Sequence, residues 1–224
     1  MDQTLPLTKF LKNLGAKLGC FGGYTVPLEF DGAKEEHLSV RLHCGVFDVS
    51  HMGLLEVKKD DASLSILKDV LAGRIIENKA NYALVLNSHG KILDDLIVYL
   101  GDSILLCCNA ANKERVLDYL TRRGLDAKLL NCVILAVQGP ETINFIKDSS
   151  LKSIVRNLAP KEFILEPMKG VKLISNTGYT GEEGFEIFLT DHKMAEEFFL
   201  SLTENKVKPC GLICLLYTSD AADD

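Results

Sequence analysis

Apolar positions fall into short blocks separated by turn-forming residues. The densest block is Gly90-Lys91-Ile92-Leu93-Asp94-Asp95-Leu96-Ile97-Val98-Tyr99. β-Branched and large apolar residues fill it, and Asn87-Ser88-His89-Gly90 before it is a turn cluster, which predicts a strand. With the apolar run Tyr82–Leu86 it makes a hairpin, and Gly101-Asp102 turns again into a strand Ile104–Asn109. A helix Lys113–Arg123 closed by Gly124 follows. Upstream, Leu7, Phe10, Leu11, Leu14 and Leu18 recur at helical spacing and predict a first helix ending near Gly19. Pro27 precedes an acidic helix Lys34–His43. Gly45–Gly53 leads into a strand Leu54–Val57, and Asp60-Asp61 caps a helix that turns Leu64, Leu67, Val70 and Leu71 inward. Downstream, the pattern predicts strands Val133–Val137, Val171–Ile174 and Phe185–Leu189. It also predicts a helix Glu141–Lys147 opened by Pro140 and an amphipathic helix Asp191–Leu202. Strands and helices intermix through hairpins, so the fold class is α+β: mixed, mostly antiparallel sheets with flanking helices, rather than a doubly wound parallel sheet.

Composition narrows the class little. Of 224 residues, 47% are hydrophobic and 25% charged, as in ordinary globular domains. No apolar run approaches the ~20 residues of a membrane helix, and Met1-Asp2-Gln3-Thr4 lacks the basic start of a secretory signal. No membrane association is therefore expected. A net charge of −6 argues against a nucleic-acid surface. The cysteines number seven, contain no C-x-x-C pair and follow no export signal, which points to reduced thiols in a cytosol-like, cytoplasmic setting without a cysteine metal site.

The unusual chemistry lies inside the strand Gly90–Tyr99. Side chains alternate faces, so Asp94 shares a face with Ile92 and Leu96 while Asp95 points the other way. At least one carboxylate therefore meets an apolar face, where an ionised group is costly unless paired or hydrogen-bonded. The alternative is a strand bend with both acids solvated. Glu186 repeats the anomaly: it is flanked by Phe185, Ile187 and Phe188 after the glycine-rich run Thr177–Gly184. Asn109-Ala110-Ala111-Asn112 is a polar strand exit whose amides can donate to a ligand or cap the next helix. The run Gly19-Cys20-Phe21-Gly22-Gly23-Tyr24 lacks the ending of a phosphate loop and reads as a tight connection where backbone passes close to something. Asp48, Ser50 and His51 lie too close in sequence to form a hydrolase relay, and local capping by Ser and Asp is expected.

Five stretches together carry a family resemblance: Phe47-Asp48-Val49-Ser50-His51-Met52-Gly53, Leu93–Val98, Asn109–Asn112, Gln138-Gly139-Pro140 and Thr177–Ile187. In this order and spacing they resemble the aminomethyltransferase (T-protein) family of the glycine cleavage system, from about Gly19 to Leu212. The resemblance implies transfer of the methylene carbon of an aminomethyl group, carried on the lipoyl arm of the H-protein, to tetrahydrofolate. Ammonia and 5,10-methylenetetrahydrofolate are the products, and neither metal nor pyridoxal phosphate takes part. By position, Asp94 matches the family's essential acid and Glu186 the acid that binds the pterin. Tyr179, Asn109, Tyr82 and Met52 match pocket-lining positions, and Asp95 is read as structural. Two other readings stay open. One is a folate-dependent demethylase or other one-carbon transferase of the same fold. The other is a non-catalytic folate-binding protein of iron–sulfur maintenance, whose cysteine motif is absent here. The resemblance also implies a discontinuous first folate-binding subdomain (1–54 and 132–213) and an inserted subdomain (55–131) carrying Asp94. After Leu212 the family's arginine-containing motif and C-terminal barrel domain are missing, so the chain is expected to be inactive alone. Residues 214–224 resemble a translated sequencing adapter and are expected to form a non-native surface extension with few contacts.

Overall fold

The computed structural model describes residues 2–218, which group into two compact units. The first comprises residues 2–50, 132–160 and 166–218, and the second 51–131 and 161–165. Residues 51–54 were expected in the first unit. They group with the second because the strand Gly53–Val57 pairs along its whole length with Ile104–Cys108.

The second unit is built on a six-stranded antiparallel sheet. Its order is Ala127–Leu130, Gly53–Val57, Ile104–Cys108, Ile92–Leu100, Ala80–Leu86 and Leu71–Ala72. Every second residue of the central strands (Ala83, Val85, Leu96, Val98, Leu106, Cys108) is buried beneath two helices, Asp61–Val70 and Lys113–Arg122. The expected helix cap is present, with Asp60 accepting from the Ser63 N–H at 2.9 Å. The expected hairpin turn is tied by Asn87, whose side chain accepts from the His89 and Lys91 N–H groups.

The first unit carries two sheets. The larger has the order Phe163–Met168, of which 166–168 belong to this unit, then Val171–Ser175, Gly184–Leu189, Val133–Gln138, Gly45–Asp48 and Lys208–Cys210. Its last pair is parallel. The strand Val133–Gln138 is buried at every residue and lies antiparallel to both neighbours. The helix His192–Glu204 packs into the same core through Ala195, Phe199 and Leu202. The smaller sheet pairs Tyr24–Glu29 with Gln3–Thr4 in parallel and with Lys17–Phe21 antiparallel.

Two expectations change here. The first helix covers only Thr8–Asn13, and Leu18 belongs to the strand Lys17–Phe21. A leucine at helical spacing from its predecessors was read as one more turn, although a two-residue turn and hairpin pairing follow at once. That turn is Gly22-Gly23, with φ of 57° and 84°. Positive φ at both positions is the conformation of a two-residue hairpin turn. An added Cβ at Gly23 would meet nothing within 4 Å, so that glycine serves the turn, whereas one at Gly19 would lie 2.3 Å from Leu28 Cδ1, a close approach of the kind expected of this run.

The other change concerns residues 214–218. They belong to a helix, Leu212–Thr218, in which Leu212, Cys214, Leu215 and Thr218 are buried and Leu216 and Tyr217 exposed. The helix packs on Ala33–Leu42 and Tyr24–Glu29. An apolar pattern of helical period is enough to cover an open face of the unit, whatever the origin of the residues. The remainder of that stretch, 219–224, lies outside the described residues.

Candidate functional site

Asp94 owes its position to the point where two strands part. In the ladder of Ile92–Leu100 with Ile104–Cys108, Leu96 pairs with Cys108, the last residue of its strand. One step further along the buried face, Asp94 meets the loop Asn109–Asn112 instead of a strand. On its other side the register shifts, with Val85 opposite Asp94 and Leu86 opposite Ile92. This bulge turns Ile92 outward, 60% exposed, so Asp94 shares its face with Leu96 and Val98 and not with Ile92. Asp94 is 2% exposed, and the solvated-bend alternative therefore does not hold.

Burial of this carboxylate is offset by donors from the loop. The backbone N–H of Asn109 donates to Asp94 Oδ2 at 3.0 Å, and Asn109 Nδ2 donates to Oδ1 at 3.0 Å. Asn112 Nδ2 donates to Oδ1 at 2.7 Å. Three N–H donors supply the hydrogen bonds that this buried carboxylate would otherwise lack. Asp95 is exposed on the opposite face, yet Asn109 Nδ2 also lies 2.8 Å from Asp95 Oδ1. Tyr82, itself exposed, donates its hydroxyl to Asp95 Oδ2 at 3.2 Å. Asp94, Asn109, Asp95 and Tyr82 thus form one hydrogen-bonded group, and Asp95 is joined to it more closely than its opposite facing suggested. Met52 is half-buried just before the strand Gly53–Val57.

In the first unit Glu186 occupies the middle of Gly184–Leu189, paired with Ala136 on one side and Ser175 on the other. It is 3% exposed. Thr177 donates its hydroxyl to Oε2 and shares a hydrogen bond with Ser175 Oγ, whereas Oε1 has no hydrogen-bond partner among the described residues. Burial raises the proton affinity of Glu186 above that of an ordinary glutamate, and the hydroxyls of Thr177 and Tyr179 pull against that effect. Tyr179 is half-buried in the loop that precedes the strand.

That loop is folded onto Gln138. The Gln138 amide donates to the carbonyls of Val137 and Thr177 and accepts from the Thr180 hydroxyl at 3.0 Å. Arg41 Nη1 donates to the Thr180 carbonyl and to Glu182 Oε1, both at 2.8 Å. A Cβ at Gly178 would lie 1.8 Å from Gln138 Oε1, so only glycine admits this approach. Gln138-Gly139-Pro140 and Thr177–Gly184, distant in sequence, are therefore one substructure, and its purpose is to hold the backbone beside Glu186.

The segment Asp48–Ser50 behaves as expected. Asp48 Oδ1 accepts from both the N–H and the hydroxyl of Ser50, and Ser50 Oγ accepts from the Ile134 N–H at 3.0 Å. The serine hydroxyl is thus directed at a carboxylate and not at a histidine. Burial pushes Asp48 up to about 6, while burial and the Lys113 ammonium push His51 down to about 4.

One trio of potential metal ligands, Glu36, Cys210 and Cys214, has its donor atoms within 4.8 Å of one another. Both oxygens of Glu36 are already used: Oε1 accepts from the Phe30 and Asp31 N–H groups and Oε2 from that of Gly211. No helix among the described residues is long and apolar enough to cross a membrane.

Sequence reasoning placed Asp94, Glu186, Asn109, Tyr179 and Tyr82 in the candidate list but missed Asn112, Thr177 and Gln138. Asn112 stood within a quoted motif whose amides were read as donating to a ligand or capping the helix; neither reading gave it Asp94 as its acceptor. Neither Thr177 nor Gln138 carries a sequence signal beyond its neighbourhood, because each acts on a residue of a different strand.

Comparisons with known proteins identify relatives of the chain as a whole. A family profile described as the GCVT N-terminal domain matches residues 7–217. An aminomethyltransferase of Streptomyces avermitilis is 38% identical over 91% of this chain, and one of Staphylococcus saprophyticus is 35% identical over 92%. The chain spans 58% and 60% of the length of these two relatives. The crystal structure of the glycine cleavage system aminomethyltransferase T from Bartonella henselae superposes with a TM-score of 0.85 at 30% identity. That match covers 97% of this chain and 62% of the other. Since the profile extends over nearly all the described residues and the fold matches throughout, the chain belongs to the GCVT N-terminal domain family.

Proposed function

We propose that the protein takes part in folate-dependent aminomethyl transfer. The methylene carbon of an aminomethyl group on the lipoyl arm of the H-protein passes to tetrahydrofolate. The bond from carbon to nitrogen breaks to release ammonia, and the bond from carbon to sulfur breaks to leave the reduced arm. The carbon ends between two folate nitrogens, whose two hydrogens leave with the ammonia and the thiol.

The observation that carries this reading is Asp94, a buried carboxylate held by three N–H donors at the position where the family resemblance puts the reaction's acid. As an anion it stabilises the positive charge that develops as ammonia departs, orients the attacking folate nitrogen and accepts its proton. The Glu186 Oε1 atom, buried and without a donor, suits an N–H-rich heterocyclic edge such as that of a pterin. Asn109, Tyr82, Met52 and Tyr179 are, by the family resemblance, further residues that contribute to folate binding.

The test is an assay with aminomethyl-loaded H-protein and tetrahydrofolate, on this chain and on the chain continued to the full length of its relatives. Ammonia and 5,10-methylenetetrahydrofolate in equal amounts from the continued protein, and little from the chain alone, is the expected result. Turnover of an N-methylated amino acid instead would favour the demethylase reading.

A further inference from the structure

Asn112 stands at the N-cap of the helix Lys113–Arg122, yet its side chain caps nothing. Asparagine at this position ordinarily accepts from a backbone N–H two or three residues on. Its amide is instead turned to Asp94 Oδ1, at 2.7 Å. Asn109 Nδ2 donates to the same oxygen, but it also lies 2.9 Å from the Asp95 carbonyl and 2.8 Å from Asp95 Oδ1. An amide has two hydrogens, so Asn109 divides them among three acceptors and cannot fix Asp94 alone.

A carboxylate offers about four acceptor sites, two on each oxygen. Oδ1 is filled by the two side-chain amides. Oδ2 takes the Asn109 backbone N–H and keeps one site. We propose that Asn112 is a positioning residue that locks the rotation of the Asp94 carboxylate, so that Oδ2, and not Oδ1, presents the remaining acceptor site to the reacting nitrogen. The identity of that nitrogen rests on the transferase reading; the orientation of the carboxylate does not.

Crystal structures of the wild type, Asn112→Ala and Asn112→Ser test the geometric half, with melting temperature, transfer rate and tetrahydrofolate affinity measured alongside in the chain continued to the length of its relatives. In both variants the Asp94 carboxylate should be turned or split between two orientations. The transfer rate should fall roughly tenfold, with folate affinity held within about twofold, as for a misplaced reacting group. Serine supplies the missing helix cap, so Asn112→Ser should melt no lower than the wild type while still losing rate. It also carries the test if the alanine variant does not fold. An unaltered Asp94 orientation in the variants overturns the proposal, whether or not the protein transfers carbon. So does a rate loss that merely follows melting temperature. A wild type that transfers no carbon overturns the transferase reading alone, and the crystal structures still decide the role of Asn112.

Discussion

Asp94 and Glu186 meet the same difficulty, a carboxylate out of water, in opposite ways. Asp94 is surrounded by N–H donors, whereas Glu186 has the Thr177 hydroxyl on one oxygen, keeps the other without a donor, and through burial holds its proton more tightly than an ordinary glutamate. The first arrangement suits an acid whose oxygens must be held in place during a reaction, and the second an acid completed by its ligand. Glu186→Ala should therefore weaken tetrahydrofolate binding by about 2 kcal/mol, the loss of a charge-assisted hydrogen bond, with a smaller effect on the saturated rate. Fluorescence titration and the rate at saturating folate separate the two, and an unchanged dissociation constant would contradict the role. Asp48 and His51 give a pH prediction. Asp48 is raised to about 6, so its neutral form stabilises the fold below about pH 4 and that stability is lost as pH rises through about 6. His51 is lowered to about 4, so its contribution is present above about 6.5 and lost as pH falls through about 4. The two slopes oppose each other between pH 4 and 6. Relative to the wild type, Asp48→Asn should gain about 3 kcal/mol over that window and His51→Gln should lose a similar amount, by urea unfolding. Parallel pH curves for all three proteins would show that neither group is perturbed. Strand alternation marked the Asp94-Asp95 pair as holding at least one carboxylate on an apolar face, and the family resemblance chose Asp94. Alternation could not find Asn112, because that donor comes from a loop eighteen positions away, nor the outward turn of Ile92, because a bulge depends on the partner strand.

Among elements, those defined by local chemistry were legible and those defined by pairing were not. The hairpin at Asn87–Gly90, the cap at Asp60 and the amphipathic helix after Asp191 follow from turn residues, caps and periodicity close in sequence. The helix Ser149–Asn157, capped by Asp148, was missed because only Leu151 and Val155 are buried on its short inner face. The seat of the loop Thr177–Gly184 was illegible for another reason: Gln138, which anchors it, lies some forty residues earlier in the chain. This substructure has its own test. Gly178→Ala would push a methyl into Gln138 and should destabilise the protein by about 1–3 kcal/mol, as overpacking does, while weakening folate binding. Adding Gln138→Ala removes the atoms in the way, so the double variant should recover part of the loss in a double-mutant cycle. Strictly additive effects would mean that the close approach has no energetic weight.

At the scale of the molecule, the α+β class with mostly antiparallel sheets was readable from the mixture of hairpins and helices. The grouping of residues 51–54 with the second unit was not, since it follows from the pairing of Gly53–Val57 with Ile104–Cys108. The packing of Cys214–Thr218 shows the same limit from the other side, because the spacing of its buried residues placed it in the fold while its composition suggested an extension. The functional account turns on a single contrast within one strand. Asp94 is buried and fixed by amides; Asp95, its neighbour, is exposed. The most direct test is the aminomethyl transfer rate of Asp94→Asn and Asp95→Asn in the chain continued to the length of its relatives, with melting temperature as the control. The account predicts unaltered melting in both, loss of most of the transfer in Asp94→Asn and a mild loss in Asp95→Asn. Equal losses from the two substitutions, with unaltered melting, would contradict it.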